Sequence, residues 1–196
     1  MARPVNQQRR TELLDGAVDY VITHGLGGLS LRPLAAALGT DAPVLLHHFG
    51  SKDQLIALLL NGVRDRLRAI HQLGAQETDK SPEAQLQRVW TWAASPDRDS
   101  LFRLFFEAYG LALANPDRYR SFLDHVIQDW LNQLIPAFAA AGFPADRAES
   151  QATLAVATIR GLLLDLLTTG DRQRIETALQ ELDTCSAWPR GRGKVS

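Results

Sequence analysis

The residues of this chain with the clearest capacity for specific chemistry lie between Ser30 and Lys52. Residues 30–49 read SLRPLAAALGTDAPVLLHHF, which brings hydroxyl, guanidinium, imidazole and carboxylate groups into one short stretch. Such groups can donate to phosphate oxygens or form hydrogen bonds with base edges. The chain has no H-E-x-x-H, no phosphate-cradling glycine loop and no G-x-S-x-G nucleophile motif. We therefore expect no catalysis, no cofactor and no metal site.

Two short helices would have to position these groups. The pattern predicts helices at 31–38 and 42–49, with Ser30 as an N-cap, a tight turn at Gly39 and Pro43 in the first turn of the second helix. Ala35 is small enough to let the two helix axes approach. Four leucines would bury the facing sides: Leu31, Leu34, Leu38 and Leu45. This spacing is typical of a helix-turn-helix, whose second helix can enter the major groove of DNA.

The rest of the 196-residue chain is also predicted to be helical. Apolar residues recur at helical spacing almost throughout, and there is no sustained strand-like alternation. Helices are expected at about 7–24, 51–74, 81–94, 98–114, 115–141, 145–170 and 171–184, besides the two short ones. The fold class is therefore all-α with about nine helices, including one long helix over 115–141 that is kinked at Pro136.

Charge, cysteine content and hydropathy indicate where in the cell this protein acts and how it could bind DNA. The formal net charge is −1, so DNA affinity would need a local basic patch, and residues 1–52 carry only one more basic than acidic residue. The single cysteine, Cys185, cannot form an intrachain disulfide. The N-terminus lacks an apolar signal core, and the longest apolar stretch, 154–167, is shorter than the ~20 residues that span a bilayer. We expect a cytoplasmic protein without a membrane partner.

The N-terminal sixty residues resemble the TetR family of bacterial repressors, whose pattern is similar to T-x-R-x-I-A-x-x-x-G-V-S-x-x-x-L-Y-x-H-F-x-S-K. The residues that carry the resemblance are Ser30, Arg32, Leu34, Ala35, Gly39, Thr40, Asp41, Leu45, Leu46, His48, Phe49, Ser51 and Lys52. The segment 161–171 also looks like the second-to-last helix of that family. The resemblance implies a three-helix DNA-binding domain at 1–50 and a helical effector-binding and dimerisation domain at 51–185. Residues 186–196 are expected to form a disordered tail.

The resemblance also implies a set of DNA contacts. Ser30, Arg32 and Lys52 stand near helix N-termini, where phosphates are attracted. The full set of candidate DNA-binding residues is Ser30, Arg32, Thr40, Asp41, Ala42, Val44, His47, His48 and Lys52. Ala42 or Val44 could pack on a thymine methyl, and His47 could bond to a base or phosphate.

Two departures from the family pattern matter most. The family usually has tyrosine where Leu46 stands and often threonine at Val44, and neither residue here can donate a hydrogen bond. Asp41 would repel a phosphate unless its carboxylate caps the helix or accepts from cytosine. The expected consequence is an unusual operator or a weaker interaction.

Two further sites follow from the resemblance. A cavity for a small apolar effector would need aromatic walls, and the candidates are Trp90, Phe102, Phe106, Tyr109 and Trp130. The last two helices would form a four-helix interface in a homodimer. The candidate interface residues are Leu154, Thr158, Gly161, Leu162, Ile175 and Leu179.

These features predict a ligand-responsive repressor that binds a near-palindromic double-stranded DNA operator as a dimer. The alternative is a helical small-molecule-binding dimer in which the helix-turn-helix at 30–49, called the reading head below, binds DNA only weakly. The apolar Val44 and Leu46 would favour this alternative.

Overall fold

The computed structural model describes residues 4–73 and 82–184, and these residues form helices joined by short connections. The ten α-helices and their bounds are α1 (Pro4–His24), α2 (Leu31–Ala37), α3 (Ala42–Phe49), α4 (Lys52–Leu73), α5 (Pro82–Ala93), α6 (Asp99–Ala114), α7 (Arg120–Val126), α8 (Gln128–Ala140), α9 (Ala145–Thr169) and α10 (Arg172–Thr184). A 3-10 turn at Pro96–Arg98 precedes α6. The prediction of an all-α fold is confirmed.

The helices group into two compact units. The first unit contains residues up to 72 together with 100–126, and thus α1–α3, α7, all of α4 but its last residue and all of α6 but its first. Its core consists of apolar side chains from each of these helices, among them Leu13, Val21, Leu34, Leu45, Leu59, Val63, Leu104 and Phe122. The second unit contains residues 73–99 and 127 onward, and in it α9 packs against α5, α8 and α10.

Predicted helix ends agree with the structure to within one to three residues, apart from one segment. Residues 115–119 form turns, α7 begins only at Arg120, and Ile127 interrupts the long helix expected over 115–141. The prediction of a single helix over 115–141 was therefore wrong, and the described residues contain ten α-helices where about nine were expected. Pro136 does lie inside α8. Cys185 and the tail expected at 186–196 lie outside the described residues.

Glycines end several helices because they adopt backbone angles that other residues avoid. Gly39 follows α2 with φ +61°, and Gly170 follows α9 with φ +69°. After α2, the Thr40 amide donates to the Ala35 carbonyl and the Gly39 amide to the Ala36 carbonyl. This pair of bonds is a Schellman motif, which satisfies the last carbonyls of a helix and turns the chain sharply.

Helix α9 is longer than the apolar stretch seen in the sequence. By length and composition it could cross a membrane, with a mean hydropathy of 1.4 over its most apolar window, of which 33% is buried. A single helix of this kind is weak evidence, because long helices in the core of a protein pass the same test.

A carboxylate–guanidinium pair joins the end of α9 to the start of α10. Arg174 donates to both carboxylate oxygens of Asp165, with N–O distances of 2.7 and 3.0 Å. These hydrogen bonds hold the pKa of Asp165 below its ordinary value and raise that of Arg174.

This pair predicts a pH-dependent contribution to stability. Because the pKa of Asp165 is lowered by folding, its contribution is present above the ordinary value of 3.8 and is lost as the pH falls through the lower, folded value. Asp165→Asn should lower the midpoint of thermal unfolding near neutral pH, and the difference from wild type should shrink below about pH 3.8. A difference that stays constant down to the acid limit would contradict this assignment.

Candidate nucleic-acid interface

Helices α2 and α3 form a helix-turn-helix that packs against α1. Leu34 and Ala35 of α2 are buried, as are Leu45 and Phe49 of α3. Leu38 is half-buried and lies so close to α1 that a Cβ on Gly16 would stand 2.7 Å from its Cδ2 atom. Gly16 therefore permits the close approach of α1 to the turn. Leu31, predicted to be an inner residue, is also only half-buried.

The opposite side of α3 faces outward. Val44 and Leu46 are 37% and 39% exposed, and His47 is exposed as well. Ala42 and His48 are half-buried at the margins of this face. Buried and exposed residues thus alternate along α3, and its exposed side can enter the major groove of DNA.

Arg10 of α1 fixes the C-terminal end of α3. Its Nε atom donates to the His48 carbonyl at 3.2 Å, and its guanidinium lies 5.4 Å from the centre of the Phe49 ring. A cation over an aromatic face is attracted by the ring quadrupole, so both contacts hold the end of α3 on α1. The sequence analysis missed this positioning role. No local pattern could have revealed it, because Arg10 and His48 are 38 residues apart.

The polar groups at the helix entrances are available for contacts. Ser30 and Asp41 have the extended backbone of N-cap residues, yet neither side chain makes a capping hydrogen bond. The Asp41 carboxylate is exposed and is not occupied by capping. The other role considered for it, acceptance from a base donor such as cytosine, stays a prediction. Thr40 is half-buried in the turn.

Two basic side chains flank α3 on the neighbouring helices. Arg32 is exposed in the first turn of α2, and Lys52 is exposed as the first residue of α4. The entrance of α4 is fixed by reciprocal bonds: the Gln54 amide donates to the Ser51 hydroxyl at 3.1 Å, and the Ser51 amide donates to the Gln54 side chain at 3.0 Å. This capping box sets the direction of α4, and so of Lys52.

The five predicted effector residues are divided between the two units. Phe102, Phe106 and Tyr109 lie on α6 in the first unit, where Phe105 makes edge-on ring contacts with all three. Trp90 and Trp130 belong to the second unit. There Trp90 lines a groove of about 580 Å³ between α5 and α10, with Thr91, Arg172 and Glu176 among its polar residues. The effector site stays a prediction.

The residues predicted for the dimer interface do not share one surface. Leu154 and Gly161 are exposed on α9, and Thr158 and Leu162 are half-buried beside them. Ile175 and Leu179 of α10 are buried within the second unit, so they support its interior instead of presenting a surface to a partner. The exposed stripe of α9 also contains residues that the sequence analysis did not select: Ser150, Ala157, Leu164 and Thr168.

An all-α chain whose N-terminal helix-turn-helix presents its second helix outward has the architecture of a DNA-binding regulator. Residues 13–59 match the model of the tetR family of bacterial regulatory proteins. The helix-turn-helix and the helices beside it therefore have the sequence of a tetR-type DNA-binding domain.

Individual proteins are similar to this chain in part of the sequence or in fold. The transcriptional repressor KstR2 of Rhodococcus jostii is 41% identical over 59 residues, which are 30% of this chain and 29% of that protein. The chain thus matches less than a third of the length of this relative. A TetR-family regulator from Cytophaga hutchinsonii shares the fold with a TM-score of 0.77 at 16% identity, over 94% of this chain and 96% of that one.

A third relative is a solved structure of the multidrug binding protein EbrR in complex with imidazole. It is 27% identical, with a TM-score of 0.63, over 90% of this chain and 89% of EbrR. The fold predicted from the N-terminal pattern therefore extends over nearly the whole chain.

Proposed function

We propose that the chain is a dimeric, ligand-responsive transcriptional repressor that binds a near-palindromic operator through α3. The outward face of α3 carries this proposal: Val44, Leu46 and His47 are exposed, whereas Leu45 and Phe49 anchor the helix from behind. A helix anchored in this way keeps its orientation when it enters the groove. The repressor role is supported by KstR2, which bears that name and is 41% identical to this chain over 59 residues.

The proposed DNA contacts are of two kinds: contacts to phosphates, which position the protein, and contacts to bases, which select the sequence. Lys52, Arg32 and the uncapped Ser30 hydroxyl would bind phosphates and set the register on the duplex. Val44 and Ala42 would pack on thymine methyl groups, and His47 would bond to a base edge or phosphate. Thr40 and His48, both half-buried, would contribute at the margin. Because two exposed positions of α3 are apolar, we expect the operator to be selected partly through thymine methyls.

The exposed stripe of α9 would form the dimer interface. Leu154 and Leu164 are 48% and 49% exposed, and small residues lie between them at helical spacing. A Cβ added at Gly161 would meet nothing within 4 Å in the protomer, so the space beside it is open to a partner helix. A two-fold dimer would supply two reading heads for two half-sites.

A small apolar effector would control this dimer. EbrR, a relative of similar fold, is a multidrug binding protein, and this chain offers aromatic side chains on α5, α6 and α8 that could line a site for an apolar molecule. The effector would act by having unequal affinity for the DNA-binding and the released arrangement. A protein that binds a chromosomal operator would act in the cytoplasm.

Selection from a random duplex pool tests the proposal. The protein is incubated with the pool, bound DNA is amplified and sequenced, and the enriched duplex is used in a binding titration at several salt concentrations. We expect an enriched inverted repeat and binding that weakens steeply with salt. Enrichment of no sequence, at protein concentrations where the dimer is formed, would refute the repressor assignment.

The same measurement examines the second candidate function, a ligand-binding dimer with a weakened reading head. Two observations favour it: Val44 and Leu46 cannot donate hydrogen bonds, and the Asp41 carboxylate is exposed without a capping role. It predicts a stable dimer and binding of small apolar compounds, with only nonspecific DNA contact.

Removing Lys52 should weaken DNA binding without changing sequence preference. Lys52→Ala deletes one phosphate contact per subunit, so the slope of log affinity against log salt should fall by about one per subunit. Arg147→Ala is the control, because Arg147 is an exposed cation of the second unit. Equal slopes for wild type and Lys52→Ala would show that Lys52 does not contact a phosphate.

A further inference from the structure

Glu107 of α6 makes a hydrogen bond to the loop that leads into the helix-turn-helix. Its carboxylate accepts the amide hydrogen of Leu26 at a distance of 2.8 Å, although the two residues are 81 positions apart. Both groups are partly buried and both belong to the first unit. A hydrogen bond from an amide to a charged acceptor is about twice as strong as one between neutral groups, and partial burial limits competition from water.

The loop at residues 25–29 leaves space for this carboxylate. A Cβ on Gly25 or Gly27 would lie 3.1 or 3.0 Å from a carboxylate oxygen of Glu107, so glycine at both positions permits the close approach. Gly25 also has φ +77°, which side chains rarely adopt. Leu26 and Leu29 are buried on either side of the loop tip. The loop is thus held between two apolar anchors and one acidic acceptor, immediately before Ser30 and α2.

A second contact joins the same part of the chain to the entrance of α4. Arg118, in the turn after α6, pairs with Asp53 at 3.1 Å, next to Lys52. Both side chains are about half exposed, so solvent screens this pair and its contribution is small. Of the two links, the bond from Glu107 is the one able to transmit a displacement.

The position of Glu107 connects it to the aromatic side chains of α6. It follows Phe106 directly, and Phe106 belongs to a row of edge-on rings with Phe105, Tyr109 and Phe122. A helix moves largely as a rigid body, so a change in the packing of these rings would shift the Glu107 carboxylate by a similar amount. The Leu26 amide would then lose its acceptor or follow it.

We propose that Glu107 is a positioning residue: its hydrogen bond to Leu26 holds the loop at residues 25–29, and with it Ser30 and α2, in the arrangement that reads DNA. Displacement of α6 reaches the reading head through this bond. The inference rests on the proposed function, because it assigns a regulatory route to the same DNA-binding surface. It requires no movement of α3 relative to α1, since Arg10 holds those two helices together.

Three variants test the role of the carboxylate. Glu107→Ala removes the acceptor, Glu107→Gln keeps an oxygen acceptor of the same reach, and Arg118→Ala removes the screened pair at the far end of α6. Amide hydrogen exchange is measured on the free full-length chain for peptides covering 25–34 and, as a reference, α9. Binding to the selected duplex and the midpoint of thermal unfolding are measured in parallel.

We expect Glu107→Ala to speed exchange in the 25–34 peptide and to weaken operator binding about tenfold, a typical size for coupling between sites. Exchange in α9 should be unchanged. Glu107→Gln should restore most of both properties, and Arg118→Ala should change affinity less than about twofold.

The outcomes separate the inference from the function on which it rests. Unchanged exchange at 25–34 in Glu107→Ala overturns the inference whatever the DNA result. An affinity loss in Arg118→Ala equal to that in Glu107→Ala also overturns it, because general loosening of α6 would then be the cause. Wild-type protein that selects no DNA refutes the proposed function itself, and with it any transmission to a reading head.

Discussion

Leu164→Arg is expected to convert the proposed dimer into monomers and to lower operator affinity by about a hundredfold or more. Joining two reading heads makes the second binding event intramolecular, and avidity of this kind is worth about 10²–10⁴. Leu164 is 49% exposed in the protomer, so arginine there should cost little stability in the isolated chain. Placed against its symmetry mate, however, it would bury two unpaired charges. Sedimentation or light scattering measures the assembly, and a duplex titration measures the affinity.

Leu113→Arg is the matched control for this experiment. Leu113 is 62% exposed on α6 in the first unit, so the same substitution is made at another exposed leucine outside the α9 stripe. It should leave both the dimer and the affinity unchanged. If Leu164→Arg remains dimeric with full affinity, α9 is not the interface.

Leu45→Ala is expected to abolish DNA binding by unfolding the reading head. Leu45 is fully buried beneath α3, and large-to-small substitutions at such sites cost about 2–5 kcal/mol. Whole domains are stabilised by only about 5–15 kcal/mol, so the loss would release α3 from α2 and α1 under mild conditions. Thermal unfolding should show an earlier transition, and the duplex titration should show the loss of binding.

Leu46→Ala, one residue further along α3, distinguishes a loss of DNA binding through unfolding from a loss through a missing DNA contact. Leu46 is 39% exposed, so its truncation should change stability by less than about 0.5 kcal/mol. It should nevertheless weaken binding or alter the selected sequence, because its side chain would lie in the groove. Equal destabilisation by both variants would mean that α3 is not presented outward. A Leu46→Ala protein with wild-type binding and selectivity would exclude this side chain from the reading face.

The positions of the helices could be predicted from local signals. Glycines with positive φ, prolines in first turns and capping residues all act within a few residues of one another. The turn at Gly39, the start of α3 at Ala42 and the end of α9 before Gly170 follow from such signals. The prediction failed over 115–141, where residues 115–119 form turns and Ile127 interrupts the helix. No glycine or proline marks the interruption at Ile127.

The direction in which side chains point was less predictable. Ile175 and Leu179 have the apolar character expected of an interface, but α10 turns them inward, whereas Leu164 faces outward. Both cases satisfy the same helical periodicity. Periodicity shows that a helix has an apolar face, but it does not tell whether that face meets the same chain or another one.

The all-helical class, the helix-turn-helix around Gly39 and the family resemblance could all be read from the chain alone, because they depend on backbone preferences and spacings within short segments. Three features emerged only from the folded chain: Arg10 holds the end of α3, Glu107 accepts the Leu26 amide hydrogen, and the side chains of Ser30 and Asp41 do not cap their helices. Those contacts join residues far apart in the chain, or depend on rotamers chosen by packing. No local rule encodes them.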